Sequence, residues 1–144
     1  MGSKSVVDTL VLGAMTGMRS MSGPATFAQG RGGALPRLLP VMAVGEMIAD
    51  KTLAIGDRTD AIPLGGRAFM GAVVGYLLAR EARQNRGAGA LVGGAMAVAT
   101  AQLMFQLRKR LPVPNVAAGL LEDGLVLGLS QLYSHRVRAA SRQR

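Results

Sequence analysis

Residues 87 to 107, GAGALVGGAMAVATAQLMFQL, carry no charge; Arg86 precedes them, and Arg108, Lys109 and Arg110 close them off. About 21 residues rising 1.5 Å each make a helix of about 30 Å, the thickness of the hydrocarbon core of a bilayer. A chain that holds such a segment between cationic ends is predicted to fold in lipid, and that solvent constrains every other segment. The composition agrees: 49% of the 144 residues are hydrophobic, yet only 3% are aromatic, none is Trp, and 20 are Gly. Gly weakens a helix in water by roughly 1 kcal/mol, but in lipid it lets helix backbones come close, which is how helices associate there. By length the chain is one domain.

The net charge is +9, from 17 Lys and Arg against 8 Asp and Glu, a balance that in water would point to nucleic acid. The distribution excludes it as the leading partner. Cations cluster between apolar segments, at Arg80, Arg83 and Arg86, at Arg108, Lys109 and Arg110, and at Arg136, Arg138, Arg142 and Arg144. No stretch interleaves them with the aromatic residues on which bases stack. Such clusters suit the flanks of membrane segments, where they meet anionic lipid. With no Cys there is no disulfide, thiolate metal site or Cys nucleophile.

The sequence predicts an all-α integral membrane bundle of about five transmembrane helices. The first pass runs over residues 5 to 18 and meets Arg19 and then Ser22-Gly23-Pro24. Pro24 lacks a backbone donor and biases Gly23 away from helix, so the helix is predicted to break there and restart at Pro24. The second pass, residues 34 to 55, contains Pro36, Pro40, Glu46, Asp50 and Lys51; a polar loop over 56 to 60 follows. A third covers about 61 to 79 and contains Arg67, and the uncharged run is the fourth. Pro112, Pro114 and Asn115, a possible cap, mark a turn before the fifth, residues 116 to 134, and the basic tail from 135 to 144 is placed outside the core. Lys4, the first apolar run and residues 25 to 28 imitate the regions of a signal peptide, but Asp8 within the run and Arg19 after it break the pattern. With five passes, the loops near Arg31 and Arg37 and near residues 80 to 86 share a side with the tail. Lys4, Arg58 and residues 108 to 110 fall on the other, so the richer side and the C-terminus are assigned to the cytoplasm. Two short echoes, residues 8 to 13 against 123 to 128 and 13 to 15 against 94 to 96, raise the possibility of an inverted repeat.

The charges inside these segments carry the chemistry. Arg19, Glu46, Asp50, Lys51, Arg67, Glu122 and Asp123 each cost about 2.5 to 3.5 kcal/mol at the centre of a spanning helix, so they must pair or face water. Four acids against three bases make a near-neutral buried network feasible. Glu46 and Asp50 are four apart on one helical face, whereas the adjacent Glu122 and Asp123 project about 100° apart and cannot serve one partner alike. The candidate binding residues for an ion or solute are Arg19, Ser20, Ser22, Glu46, Asp50, Arg67, Glu122 and Asp123. Two arrangements of them are open: a polar cavity near the midplane with Arg19 and Arg67 facing the acids, or salt bridges that only fix helix register. Around Arg19 the segment from Gly17 to Ala25 would place the start of a helix beside two hydroxyls, which suits an anion or a counter-charge for the acids. It could equally be a surface loop.

Small residues spaced by four occur at Gly13 and Gly17, Gly71 and Gly75, Gly89 and Gly93, and Gly124 and Gly128, a spacing for close helix contact within a protomer or between two. His135 is a lone His among basic residues and reads as a helix C-terminal contact. No metal, cofactor or catalytic constellation is present in the sequence, so no catalytic residue is assigned and none of these groups is expected to be bound.

Gly17, Arg19, Ser20, Gly23, Pro24 and Ala25, then Gly45, Glu46, Ala49, Asp50 and Lys51, then Arg58, Gly66, Arg67 and the run Leu121, Glu122 and Asp123 form a pattern. That pattern resembles a family of small bacterial multi-pass membrane proteins classed as a domain of unknown function, over roughly residues 10 to 130. The resemblance implies a helical protein of the bacterial inner membrane and no activity. The leading expectation is a transporter or channel subunit moving an ion or small polar solute, as a homodimer or higher oligomer. The alternative is a structural or accessory protein whose buried charges fix packing or bind a lipid headgroup.

Overall fold

A computed structural model describes residues 3–29, 39, 61–110, 112 and 114–141, and these form five helices and no strand. They are α1 (Ser3–Met18), α2 (Ser22–Ala28), α3 (Ala61–Glu81), α4 (Arg86–Arg110) and α5 (Asn115–Ser141). The predicted second pass, with Glu46, Asp50 and Lys51, lies outside the described residues. The third, fourth and fifth predicted passes correspond to α3, α4 and α5. The fifth is longer than predicted: the chain from His135 stays helical to Ser141, although His135, Arg136 and Val137 are exposed.

Glycine sets how closely three of the helices meet. A methyl group on Gly71 would lie 2.5 Å from the Gly93 carbonyl oxygen and 2.7 Å from the Ala97 side chain, and one on Gly75 would strike the Gly89 carbonyl. Residue numbers thus fall along α4 as they rise along α3, so the pair is antiparallel. Gly13 lies against Gly93 and Met96, and Gly17 against Ala97, Thr100 and Ala101, so α1 runs parallel to α4. Three of the four predicted glycine pairs therefore sit at helix contacts. The fourth, Gly124 and Gly128 on α5, has nothing within 4 Å of where a methyl would stand.

The broken first helix is a hairpin. The chain turns sharply at Arg19, Ser20 and Met21, and α2 begins at Ser22, two residues earlier than predicted. Pro24 is the third residue of α2, inside the first turn, where a missing N–H leaves no helical acceptor unfilled. Rather than continuing away from α1, α2 doubles back on it: Gly23 lies against Thr16 and, with a methyl, would be 2.5 Å from the Leu12 carbonyl oxygen. The Ser22 hydroxyl clips the fold-back, 2.6 Å from the Met15 carbonyl oxygen and 2.8 Å from that of Arg19.

Helix α5 runs antiparallel to α1 and α4, starting where α4 ends and following α2 back. Its start is at Asn115, with the Ala118 N–H donating to the Pro114 carbonyl at 3.1 Å. The core between these elements holds Leu12, Met15, Met18, Phe27, Val74, Leu78, Val126 and Tyr133. One topological consequence corrects the five-pass arrangement. Because α2 returns, the start of α1 with Lys4, the α3–α4 turn and the C-terminal end of α5 share one end of the bundle, and residues 108 to 110 lie at the other.

Candidate functional site

The contacts of α5 differ in kind from those among α1, α3 and α4. Where those three meet closely through glycine and alanine, α5 adds polar side-chain contacts to its apolar ones at Val126 and Tyr133. Arg19, at the tip of the hairpin, is 1% exposed. Its Nε donates to Asp123 Oδ1 at 2.9 Å, and its Nη2 lies 2.8 Å from the same oxygen. One residue earlier on α5, Glu122 accepts from Arg108 Nη2 of α4 at 2.7 Å. The adjacent acids thus take different cations on different helices, as their 100° separation requires. Two turns further along α5, Ser130 Oγ accepts from Thr26 Oγ1 at 3.0 Å and from Gln29 Nε2 at 3.3 Å. The Ser134 hydroxyl donates to Gln29 Oε1, so one amide bridges two serines a helical turn apart.

These contacts form a seam. From Glu122 to Ser134 is twelve residues of helix, or about 18 Å. The seam is layered: ion pairs at one end, Val126 and its apolar neighbours in the middle, hydroxyls and an amide beyond. Its charged layer lies deep. Gly17 faces residues 97 to 101 of α4, so Arg19, two residues on, is roughly 10 Å short of Arg108 along that helix. Four residues before Gly71, which faces Gly93 and Ala97, Arg67 is placed at about the same depth; it is buried and engaged in polar interactions of its own.

Of the predicted site residues, Arg19, Glu122 and Asp123 come together here. Ser22 is buried, and its hydroxyl faces the carbonyls of Met15 and Arg19, where it closes the hairpin. Ser20 sits in the turn, half-buried and engaged. At the start of α2, Met21 has helical dihedrals and makes no side-chain cap. What Arg19 supplies is the counter-charge. Glu46 and Asp50 lie outside the described residues. Among the described residues, no group of three or more His, Asp or Glu could hold a metal.

The profile of one protein family matches residues 2–135. The chain belongs to the DUF4126 family. DUF4126 is described as a domain of unknown function, so membership brings no activity with it. No curated protein and no solved structure matches the chain.

Sequence reasoning missed Arg108 as a partner in this DUF4126 protein, because a cation ending an apolar run is ordinarily a headgroup anchor. It also missed Thr26, Gln29, Ser130 and Ser134. A signal for the serines existed: Asp123, Ser130 and Ser134, spaced seven and four apart, share one face of a helix.

Proposed function

We propose that this DUF4126 protein is an integral protein of the bacterial inner membrane, and that the seam between α5 and the α1–α2 hairpin conducts an ion or small polar solute. One observation carries the membrane reading: charged and hydroxyl side chains are buried beside the apolar core while many large apolar side chains face outward. Leu91 is 76% exposed and Leu132 64% exposed, with Phe69, Val116 and Leu121 in the same condition, while Arg19, Thr16 and Thr26 are buried. Water would reverse that pattern; lipid favours it. Among the described residues, α4 is the one helix long and apolar enough to cross a membrane, and only 28% of its apolar window is covered by the rest of the chain. A soluble core helix of that composition would be mostly covered. Conduction is supported by the seam itself, with a charged layer and a hydroxyl and amide layer set two turns apart along α5 on either side of Val126.

The start of α1, the α3–α4 turn with Arg80, Arg83 and Arg86, and Arg136 on α5 lie at one end, which the positive-inside rule assigns to the cytoplasm. The open glycines of α5 and its outward leucines, Leu121, Leu125 and Leu132, suit contact with a second copy in a homodimer or larger oligomer.

A second reading has its own support. Both acids of α5 are paired, which is what a protein using charge only to fix helix register would show. Flux separates the two. In proteoliposomes carrying a panel of ions and small solutes, Ser130→Leu obstructs the seam without touching an ion pair, and conduction predicts lost flux with unchanged helicity, the lost Thr26 and Gln29 contacts lowering only the melting temperature. Absence of flux for every solute by the wild-type chain, with stability still dependent on Glu122 and Asp123, establishes the register role instead.

A further inference from the structure

Helix α3 ends in a tight turn whose geometry and sequence disagree. The Gln84 N–H donates to the Ala79 carbonyl at 2.8 Å and the Arg83 N–H to the Arg80 carbonyl at 3.2 Å, the paired bonds of a Schellman ending. In that motif the residue after the cap adopts the left-handed conformation, and here it is Arg83, with φ 53°. Glycine is the residue that takes this conformation without strain; an L side chain costs roughly 1 kcal/mol there. A chain with 20 glycines, several placed where helices touch, has put an arginine where glycine is favoured.

Its neighbours suggest what the arginine does. Arg80 lies in the last turn of α3 and Arg86 opens α4, where Asn85 Oδ1 caps the helix by accepting the Ala88 N–H at 2.9 Å. All three arginines are exposed, and none is held in an ion pair among the described residues. The opposite end of α4 behaves differently: Arg108 is bound to Glu122, and Lys109 Nζ stands 4.2 Å over the Phe105 ring. The glycine contacts between α3 and α4 fix the turn that carries Arg80, Arg83 and Arg86, so the three cations are presented by a rigid frame at the edge of an apolar helix pair.

We propose that the α3–α4 turn is a headgroup site, in which Arg80, Arg83 and Arg86 hold the phosphate of an anionic membrane phospholipid. Guanidinium groups recognise phosphate oxygens in a fork, and the apolar flanks of α3 and α4 below the turn suit the acyl chains. At the left-handed position of the turn, exposed Arg83 adds a cation that a relaxed glycine turn would lack. The site rests on the membrane reading above, not on conduction.

Each arginine at the surface contributes about 1 kcal/mol, or about fivefold in affinity, so three contribute about a hundredfold. The experiment uses the full chain in mixed micelles, with retention of phosphatidylglycerol against phosphatidylcholine read by native mass spectrometry. The wild type is expected to prefer phosphatidylglycerol, Arg80→Gln/Arg83→Gln/Arg86→Gln to lose about a hundredfold of that preference, and Arg83→Gly to lose about fivefold while melting at a higher temperature. That opposite movement of lipid preference and melting is not produced by a merely structural arginine. An unchanged preference in the triple variant overturns the proposal, as does displacement of the lipid by millimolar inorganic phosphate, which marks a free-anion site. A chain that retains neither lipid and stays dispersed without detergent refutes the membrane reading instead.

Discussion

Removing one partner of the Arg19–Asp123 pair is predicted to cost far more than removing both. Arg19 is almost wholly buried and Asp123 nearly so, and two nitrogens of the guanidinium share one carboxylate oxygen at 2.8 and 2.9 Å. Asp123→Leu leaves a guanidinium roughly 10 Å inside the apolar span without its counter-charge. Breaking a buried pair in this way typically costs about 3 to 5 kcal/mol, in line with the ~2.5 to 3.5 kcal/mol that insertion scales give a cation at the centre of a membrane helix. Arg19→Met takes the guanidinium from Asp123 at similar cost. The double variant removes both charges, and comparable replacements elsewhere are neutral or stabilising. Arg19 and Asp123 make further polar contacts, so the double variant is expected to recover most rather than all of the loss and to cost about 2 kcal/mol; against summed single costs of about 6 to 10 kcal/mol that is a coupling of about 4 to 8 kcal/mol. The assay is reversible unfolding of the four proteins in mixed micelles by increasing denaturing detergent, followed by far-ultraviolet circular dichroism. Additive losses, with coupling under about 0.5 kcal/mol, would refute the claim that these charges meet in a dry interior.

The same unfolding assay reads three further perturbations. Gly75→Ala drives a methyl into the Gly89 carbonyl and is expected to cost about 1 to 3 kcal/mol, whereas Gly124→Ala and Gly128→Ala meet nothing and are expected to gain up to about 1 kcal/mol of helix propensity. Gly23→Ala should open the α1–α2 hairpin, and Thr16→Ala should not rescue it, because the Leu12 carbonyl still stands 2.5 Å from the new methyl. Glu122→Gln loses a charge-assisted bond to Arg108 and is expected to cost about 1.5 to 3 kcal/mol, less than Asp123→Leu because Arg108 is one-fifth exposed and water can reach it. Equal costs for Glu122→Gln and Asp123→Leu would argue against that difference in depth.

The helices were largely legible because their ends are marked by charge. Arg86 and the run from Arg108 to Arg110 bracket α4, and the last three extend it by a turn because cations favour a helix C-terminus. The buried charges were legible through their cost, and the separate destinations of Glu122 and Asp123 follow from helical geometry alone. The fold-back of α2 was not legible. A Ser-Gly-Pro sequence reads as a break, but the direction of the next helix depends on Gly23 fitting against Thr16, a packing fact that local sequence does not encode. The Arg19–Asp123 pairing joins residues 104 apart, and charge balance names several candidates without choosing one. Thr26, Gln29, Ser130 and Ser134 were overlooked because a neutral polar residue in an apolar run costs little and so raises no alarm.

Where the outer face of α5 sits tests the account most directly. The chain has no Cys, so a single cysteine at position 125 or 132 carries a unique spin label. In reconstituted vesicles, labels replacing Leu125 and Leu132 are predicted to relax more strongly with dissolved oxygen than with a water-soluble nickel chelate, and a label at position 83 to do the opposite. A chelate response at 125 and 132 as strong as that at 83 would place those leucines in water and contradict a lipid-facing outer side of α5.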